Sequence, residues 1–295
     1  MTTPRGPGVP ATEPGALAPF LARVSARLAD LLPQLVRVLA RHWLLLANIV
    51  LTLQALLPYL APALMQLGYL RAGHNLYSLY VPLCHQLPER SFFAGGYQLP
   101  VCARDTGIYA GFALGLLALW LLSRSTKPTE LPRWPVLVLM SVFVGAMAID
   151  GLTSYAGLRE TTNAVRLVTG TATGWALATV TVPMVNSQLW VLPGRGRVVE
   201  GPGRVLAWLG LLALSLAVLQ WVMPLAGVVY PLLVSAAIVV TFIAVNLVFV
   251  GLMPPFERKA TRLRDAWPQM LVALALTVGE LALAGGLRVV LERFG

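Results

Sequence analysis

Charged residues are scarce in this sequence. Asp, Glu, Lys and Arg make up 12% of its 295 residues, against about 25% in an ordinary soluble domain. Hydrophobic residues make up 57%, and the mean hydropathy is +0.74. These values exclude an ordinary soluble domain and indicate an integral membrane protein. Since a spanning helix needs about 20 apolar residues, the chain has room for about seven spans joined by short loops.

Several functional signatures are also missing. The sequence has no motif for nucleotide binding, haem attachment or a serine nucleophile, and residues 1–20 lack the apolar core of a signal peptide. The net charge is +10, but the arginines lie in short loops between apolar runs, so we exclude nucleic acid as a partner. With two cysteines and three histidines, thiol or imidazole chemistry is confined to very few positions.

The apolar runs predict an all-α fold, a polytopic transmembrane helical bundle. Residues 1–20 predict a disordered tail, and residues 21–41 an amphipathic helix. That helix lies either on anionic lipid head groups of the cytoplasmic leaflet or against loops of the same chain. A four-span core over residues 42–186 and a three-span extension over residues 187–295 complete the predicted organisation. The spans are expected at about residues 43–66, 106–122, 135–149, 163–185, 205–223, 228–253 and 268–291.

Basic residues set the expected orientation, because Lys and Arg are enriched in cytoplasmic loops. They cluster in the N-terminal tail and in loops 123–134, 187–204 and 254–267. With seven spans, these four regions lie on one side of the membrane. The sequence therefore predicts a multi-pass protein of the plasma membrane with a cytoplasmic N-terminus and an extracytoplasmic loop between spans one and two.

Glycines predict which spans are in contact. Gly107, Gly111 and Gly115 recur every four residues in span two, and Gly170 and Gly174 do so in span four. Faces of small residues let two helix backbones approach closely, so these spans are expected to pack together.

This packing gathers polar residues at one outer interface. Charge at membrane depth is costly unless it is paired, and Asp150 with Arg166 is the expected pair, either functional or purely structural. The expected cluster comprises Asp105, Tyr109, Asp150, Arg159, Asn163 and Arg166. Four of these are candidate ligand-binding residues: Tyr109, Arg159, Asn163 and Arg166.

The polar segment Tyr80–Gly111 lies between spans one and two and holds both cysteines. Three interpretations stay open. Cys84 and Cys102 form a disulfide worth about 3 kcal/mol, in keeping with an oxidising outer face. Alternatively, they bind one divalent metal such as zinc together with His85 and Asp105. In the third interpretation they are free thiols.

Other residues of the polar segment suggest acid–base or anion chemistry. Histidine suits general acid–base catalysis, so His85, Glu89 and Asp150 are candidate catalytic residues; a structural role for His85 is the alternative. Arg90 and Arg104 either bind a phosphate or carboxylate in forked geometry or neutralise Glu89 and Asp105.

Glu280 stands apart from this segment. A carboxylate in the middle of a span suggests a functional group, such as a proton site, with a structural role as the alternative.

The strings CHQLPERSFF (84–93), QLPVCARDTGIYAGF (98–112) and DG (150–151) with GLRETTNAVRLVTGTATG (157–174) resemble an uncharacterised family of prokaryotic multi-pass membrane proteins, domain of unknown function 2085. The resemblance covers about residues 77–185. It implies that many members carry Cys at the position of Asp105, which gives a CxxC pair after the CH pair and favours a metal-site ancestry. The family implies no established activity.

Three functional classes are compatible with these features. The first is a membrane protein, enzymatic or binding, whose composite outer site acts on or binds a lipid-linked or small anionic ligand. The second is a transporter or lipid-handling protein. The third is an accessory subunit of a larger membrane complex, with Cys84 and Cys102 as a structural disulfide.

Overall fold

The computed structural model describes residues 83–94, 97–123, 126–227 and 229–294. The predicted tail, the amphipathic helix and the first span lie outside these residues. Within the described part of the chain, the fold comprises six long helices and one short hairpin. The helices are α1 (Ala103–Ser123), α2 (Trp134–Tyr155), α3 (Asn163–Leu189), α4 (Pro202–Ala217), α5 (Val229–Gly251) and α6 (Trp267–Phe294). The hairpin pairs β1 (Phe93–Ala94) with β2 (Tyr97–Gln98) in antiparallel register.

Four described segments are long and apolar enough to cross a membrane: α1, α2, α5 and the continuous helical segment Pro202–Ala226. That last segment extends α4 through a π-helical turn, Val218–Val222, and a 3-10 turn, Met223–Ala226. The fold is therefore a helical membrane protein, as predicted. The count of about seven spans and the position of the N-terminus stay predictions.

Helix α3 lies at the centre of the bundle, in contact with α1, α2, α4 and α5. It buries several hydroxyl side chains, such as Thr171 and Thr179, and the Thr179 hydroxyl both donates to the Trp175 carbonyl (2.8 Å) and accepts from the Trp208 indole (3.1 Å). Because α3 packs against four other helices, a polar group such as the Thr179 hydroxyl finds a partner on a neighbouring helix that a lipid-facing position would not supply.

The predicted close packing of spans two and four is confirmed for α1 and α3. A β-carbon added at Gly107 would lie 2.6 Å from the carbonyl oxygen of Leu167, and one at Gly111 would lie 2.6 Å from that of Thr171. Both distances are shorter than any tolerable contact. The backbones approach so closely that only glycine fits at these positions.

The C-terminus of α2 differs from the expectation. The sequence predicted a span over residues 135–149 that ends on Asp150-Gly151, yet α2 continues to Tyr155. The helix ends at Gly157, whose φ is +69°. The Leu158 amide donates to the Thr153 carbonyl (3.0 Å), and the Gly157 amide donates to that of Ser154 (3.4 Å). This is a Schellman motif, so Gly157 rather than Gly151 is the stop signal, and Asp150 lies inside the helix.

The connections 126–133, 190–201 and 252–266 are joined at one end of the bundle, which we call the basic end because each connection carries at least two Lys or Arg residues. The prediction that these basic loops share one side agrees with this arrangement. The joining backbone hydrogen bonds run from Glu130 N to Gly196 O (3.1 Å), from Val198 N to Glu130 O (3.1 Å) and from Val191 N to Ala260 O (2.9 Å).

The opposite end, which we call the site end, holds the polar segment. Leu99 and Val101 of this segment are fully buried in an apolar cluster with residues of the C-terminal half, among them Leu219 and Tyr230. The β1 strand also contacts the turn Met223–Ala226. Apolar packing against the C-terminal half therefore holds the polar segment in place.

Candidate functional site

Two glutamines fold the polar segment back on itself. The Gln98 side-chain amide donates to the Gln86 carbonyl (2.7 Å) and to the Ser91 hydroxyl (3.0 Å). The Gln86 amide in turn donates to the Pro100 carbonyl (2.9 Å). Gln86 takes a positive φ of 51°, a conformation uncommon outside glycine. These bonds bring the beginning of the segment against its end.

The fold-back places Cys84, Cys102 and Asp105 together in what we call the thiol–carboxylate cluster. Their two sulfur atoms and a carboxylate oxygen all lie within 4.8 Å of one another. The Cys102 amide donates to Cys84 Sγ (3.0 Å), and Cys102 Sγ donates to Asp105 Oδ2 (3.2 Å). Cys84 is buried and Cys102 half-buried, and the two sulfurs are not bonded to each other.

The two thiols have different acidities. The hydrogen bond from Cys102 lowers the pKa of the Cys84 thiol below its ordinary value, although burial opposes this effect. The same interaction, with burial and the nearby Asp105 carboxylate, raises the pKa of Cys102. A lowered thiol pKa favours the thiolate, which is the form that ligates a metal.

A cavity of about 160 Å³ opens beside this cluster. The cluster lines this cavity together with the exposed His85 and Tyr155 and the half-buried Arg90, which we call the mouth residues. The His85 and Tyr155 rings are 6.3 Å apart between centroids, and the Arg90 guanidinium carbon lies 5.6 Å from the Tyr155 ring centre. The lining residues are Leu83, Cys84, His85, Leu87, Arg90, Cys102, Arg104, Asp105, Tyr155 and Arg166.

A second cluster, which we call the Asp150 cluster, consists of Asp150 and three side chains that donate hydrogen bonds to its carboxylate, those of Arg104, Arg159 and Thr161. Arg104 Nη2 lies 2.5 Å from Asp150 Oδ2. Arg159 and the Thr161 hydroxyl (2.9 Å) both donate to the other carboxylate oxygen. Asp150 is 3% exposed and the Arg104 side chain 11%. This ion pair is well shielded from water.

The predicted pair between Asp150 and Arg166 is wrong. Because α2 continues beyond Asp150, the chain returns over the carboxylate and presents Arg159 and Thr161 to it, while Arg104 reaches it from the first turn of α1. Arg166 instead donates from Nη1 to Asn163 Oδ1 (2.9 Å).

Asn163 connects α3 to the polar segment. Its side-chain amide donates to the carbonyl oxygens of Glu89 and Ser91, both at 3.3 Å. The Glu89 side chain is exposed on the turn Pro88–Arg90. The structure thus uses the backbone of Glu89, and it does not bring the Glu89 carboxylate into the cavity lining.

Two predicted residues lie away from the cavity. Tyr109 stacks on Phe242 of α5, with ring centroids 6.2 Å apart, instead of lining the cavity. Glu280 of α6 is exposed, and the Asn246 amide of α5 donates to Glu280 Oε2 (3.0 Å) and to the Thr277 hydroxyl (3.1 Å).

Three partners escaped the sequence analysis: Tyr155, Thr161 and Asn246. Asn246 could have been identified from the sequence, because it is a polar amide within the apolar run of span six, just as Glu280 is a polar residue within span seven. Tyr155 and Thr161 carried none, because their positions depend on where α2 ends and how the following loop returns.

The fold and the two clusters define a class: a multi-pass helical membrane protein with a cysteine- and arginine-lined cavity at one end of its bundle. The family model described as Predicted membrane protein (DUF2085) matches residues 84–180, and the chain belongs to this family. The match begins at Cys84 and includes α1, α2 and most of α3, so it contains every lining residue of the cavity except Leu83.

Two archaeal relatives match part of the chain. An uncharacterized protein of Methanocaldococcus jannaschii, MJ1492, is 34% identical over 116 residues, which is 39% of this chain and 71% of the relative. An uncharacterized protein of Methanothermobacter thermautotrophicus is 39% identical over 100 residues, which is 34% of this chain and 84% of the relative. No solved structure matches the chain.

Proposed function

We propose that the chain is a seven-span plasma-membrane protein with a cytoplasmic N-terminus, so that the site end faces the extracytoplasmic side. Its support is the separation of the two ends: three basic connections join at one end, as expected for cytoplasmic loops, and the cavity opens at the other. In this arrangement residues 1–20 and 21–41 precede a core over residues 42–186, and residues 187–295 form an extension.

The proposed function of the site end is to bind one divalent metal, with zinc the best match, beside an anionic ligand. The carrying observation is that the two thiols and the Asp105 carboxylate lie within 4.8 Å of one another in the lining of a cavity. Zinc accepts both sulfur and carboxylate ligands, and sites with three protein ligands keep a position open for another group. A metal there supplies Lewis acidity toward the ligand. His85 is a mouth residue outside this group of three.

Zinc binding tests the metal site directly. The purified full-length protein, reduced and loaded with zinc, is expected to retain about one zinc ion per chain. Cys84→Ser and Asp105→Asn remove ligands and are expected to weaken zinc affinity at least about tenfold. Glu89→Gln is the matched control, because this carboxylate belongs to the same segment but lies outside the cluster. Metal analysis after dialysis and competition with a chelator measure the affinities.

Thiol counting decides between the metal site and the disulfide. Two reactive thiols per unfolded chain before any reductant, together with bound zinc, support the metal site. Two thiols that appear only after reduction, with no zinc bound by the reduced protein, would contradict it and support the structural disulfide expected of an accessory subunit.

A transporter is the second candidate, favoured by the hydrogen bond between Asn246 and Glu280. A carboxylate within a predicted span suits a proton-coupled step. In liposomes with an imposed pH gradient, Glu280→Gln is expected to abolish proton flux that the wild-type protein supports, and Glu257→Gln, at the basic end, is the control. Equal flux in wild-type and Glu280→Gln liposomes would remove this candidate.

A further inference from the structure

The cavity has more positive than negative charge. Its lining includes three arginines, Arg90, Arg104 and Arg166, and a single carboxylate, that of Asp105. Of these three, Arg104 is already paired with Asp150, which a fourth arginine, Arg159, also contacts. A divalent metal with two thiolates and one carboxylate has a net charge of −1, which balances only one arginine. With Arg159 included, four arginines face Asp150 and this net charge of −1, so two positive charges remain for a ligand to neutralise.

Arg166 is the group that shows this imbalance most directly. Its side chain is 7% exposed and lines the cavity. Its hydrogen-bond partner is the neutral amide of Asn163, and no carboxylate among the described residues lies within ion-pair distance of it. A buried guanidinium without a counter-ion is costly, so an anion in the cavity would stabilise it.

The three arginines approach from different elements and are held in place. Arg104 starts α1 and is fixed by Asp150. Arg166 lies in the first turn of α3 and is fixed by Asn163, and Arg90 ends a short turn beside Tyr155. A planar carboxylate uses one guanidinium fork, whereas a tetrahedral oxyanion offers acceptors in several directions. Convergence from three directions therefore matches the tetrahedral group.

We propose that the cavity binds a phosphate group carrying two negative charges, with Arg166 as the residue that selects for it. This inference rests on the proposed function for the location of the ligand, and it adds the ligand's chemical class. The group has two possible sources: free phosphate, or the head group of a phosphomonoester lipid. Tyr155 lines the cavity, and exposed apolar side chains lie close to it in the sequence, among them Leu152 and Leu158. Such side chains suit a membrane interface.

The experiment uses the full-length protein in nanodiscs and two probes. Inorganic phosphate is titrated calorimetrically into protein in phosphatidylcholine nanodiscs, with acetate as the carboxylate comparison. Phosphatidic acid retention is measured by mass spectrometry of the lipids that co-purify from mixed vesicles with phosphatidylcholine. Arg166→Gln is expected to weaken binding of the probe at least about tenfold. Arg133→Gln removes the same charge at the basic end and is expected to leave binding unchanged.

The outcomes separate the two sources. Saturable phosphate binding that depends on Arg166 and exceeds acetate binding identifies free phosphate. Enrichment of phosphatidic acid that depends on Arg166, without binding of inorganic phosphate, identifies the lipid. If Arg166→Gln aggregates on size exclusion, Arg90→Gln is measured in its place. The same loss of probe binding, at least about tenfold, is then expected. Binding of neither probe, or binding that tolerates both substitutions, overturns the inference.

Zinc content measured on the same samples keeps this inference distinct from the metal proposal. Zinc-loaded protein that binds neither probe refutes the phosphate site alone. Protein that binds a probe through Arg166 but retains no zinc refutes the metal site alone.

Discussion

Replacing Asp150 with asparagine is expected to lower the free energy of unfolding by about 3–5 kcal/mol, because it leaves the Arg104 guanidinium buried without its counter-ion. The Asp150 side chain is 3% exposed and that of Arg104 is 11% exposed, so water cannot replace the lost carboxylate. The Arg159 side chain is 54% exposed, and it contributes little because solvent screens it. Thermal or denaturant unfolding in detergent measures the loss.

A double substitution separates the ion pair from other effects. Adding Arg104→Gln to Asp150→Asn is expected to recover part of the stability, since the unpaired charge is removed as well. The control Glu130→Gln breaks the exposed pair with Arg197, whose atoms lie 3.8 Å apart, and is expected to cost about 0–1 kcal/mol. Equal costs for Asp150→Asn and Glu130→Gln would contradict the buried-pair account.

Gly107→Ala is expected to destabilise the protein by about 1–3 kcal/mol or more, the usual range for overpacking. The new methyl group would lie 2.6 Å from the Leu167 carbonyl oxygen and 2.7 Å from the Thr171 nitrogen. Both atoms belong to the backbone of α3, so α1 and α3 must separate to admit it. The separation moves Arg104 and Asp105 relative to Arg166, and zinc and phosphate affinity are expected to fall with stability.

Gly145→Ala is the matched control for this substitution. Gly145 lies within α2, and a β-carbon built there meets nothing within 4 Å. Since glycine in a helix is less favourable than alanine by about 0.5–1 kcal/mol, this variant is expected to be neutral or slightly more stable. A loss of stability in Gly145→Ala equal to that in Gly107→Ala would show that helix contact is not the cause.

The helices and the α1–α3 contact were predictable because they depend on local signals. Apolar runs gave the bounds of most helices to within a few residues, and glycine spacing identified the touching faces. The end of α2 was not predictable in the same way. Asp150-Gly151 and Gly157 are both plausible stop signals, and only the Schellman bonds around Gly157 decide between them.

The sequence predicted which residues belong to the candidate site better than it predicted which of them pair with each other. Cys84, Cys102 and Asp105 were placed in one group from their sequence spacing, and the structure brings these three together. His85 does not join them, because the chain turns at Gln86 and leaves the imidazole exposed among the mouth residues. The partner of Asp150 was wrong for a related reason: ion pairs depend on loop paths, which hydrophobic patterns do not encode.

The interlocked connections at the basic end restrict how the bundle can move. Backbone hydrogen bonds join three separate connections there, so the helices that they link share a stiff base. At the site end the helices are linked by side chains, such as Asn163 and Asp150, which rearrange more easily than paired backbones. We therefore expect the cavity to widen when the helix ends at the site end tilt relative to the basic end. Binding and release of a ligand would then depend on motion at the site end alone.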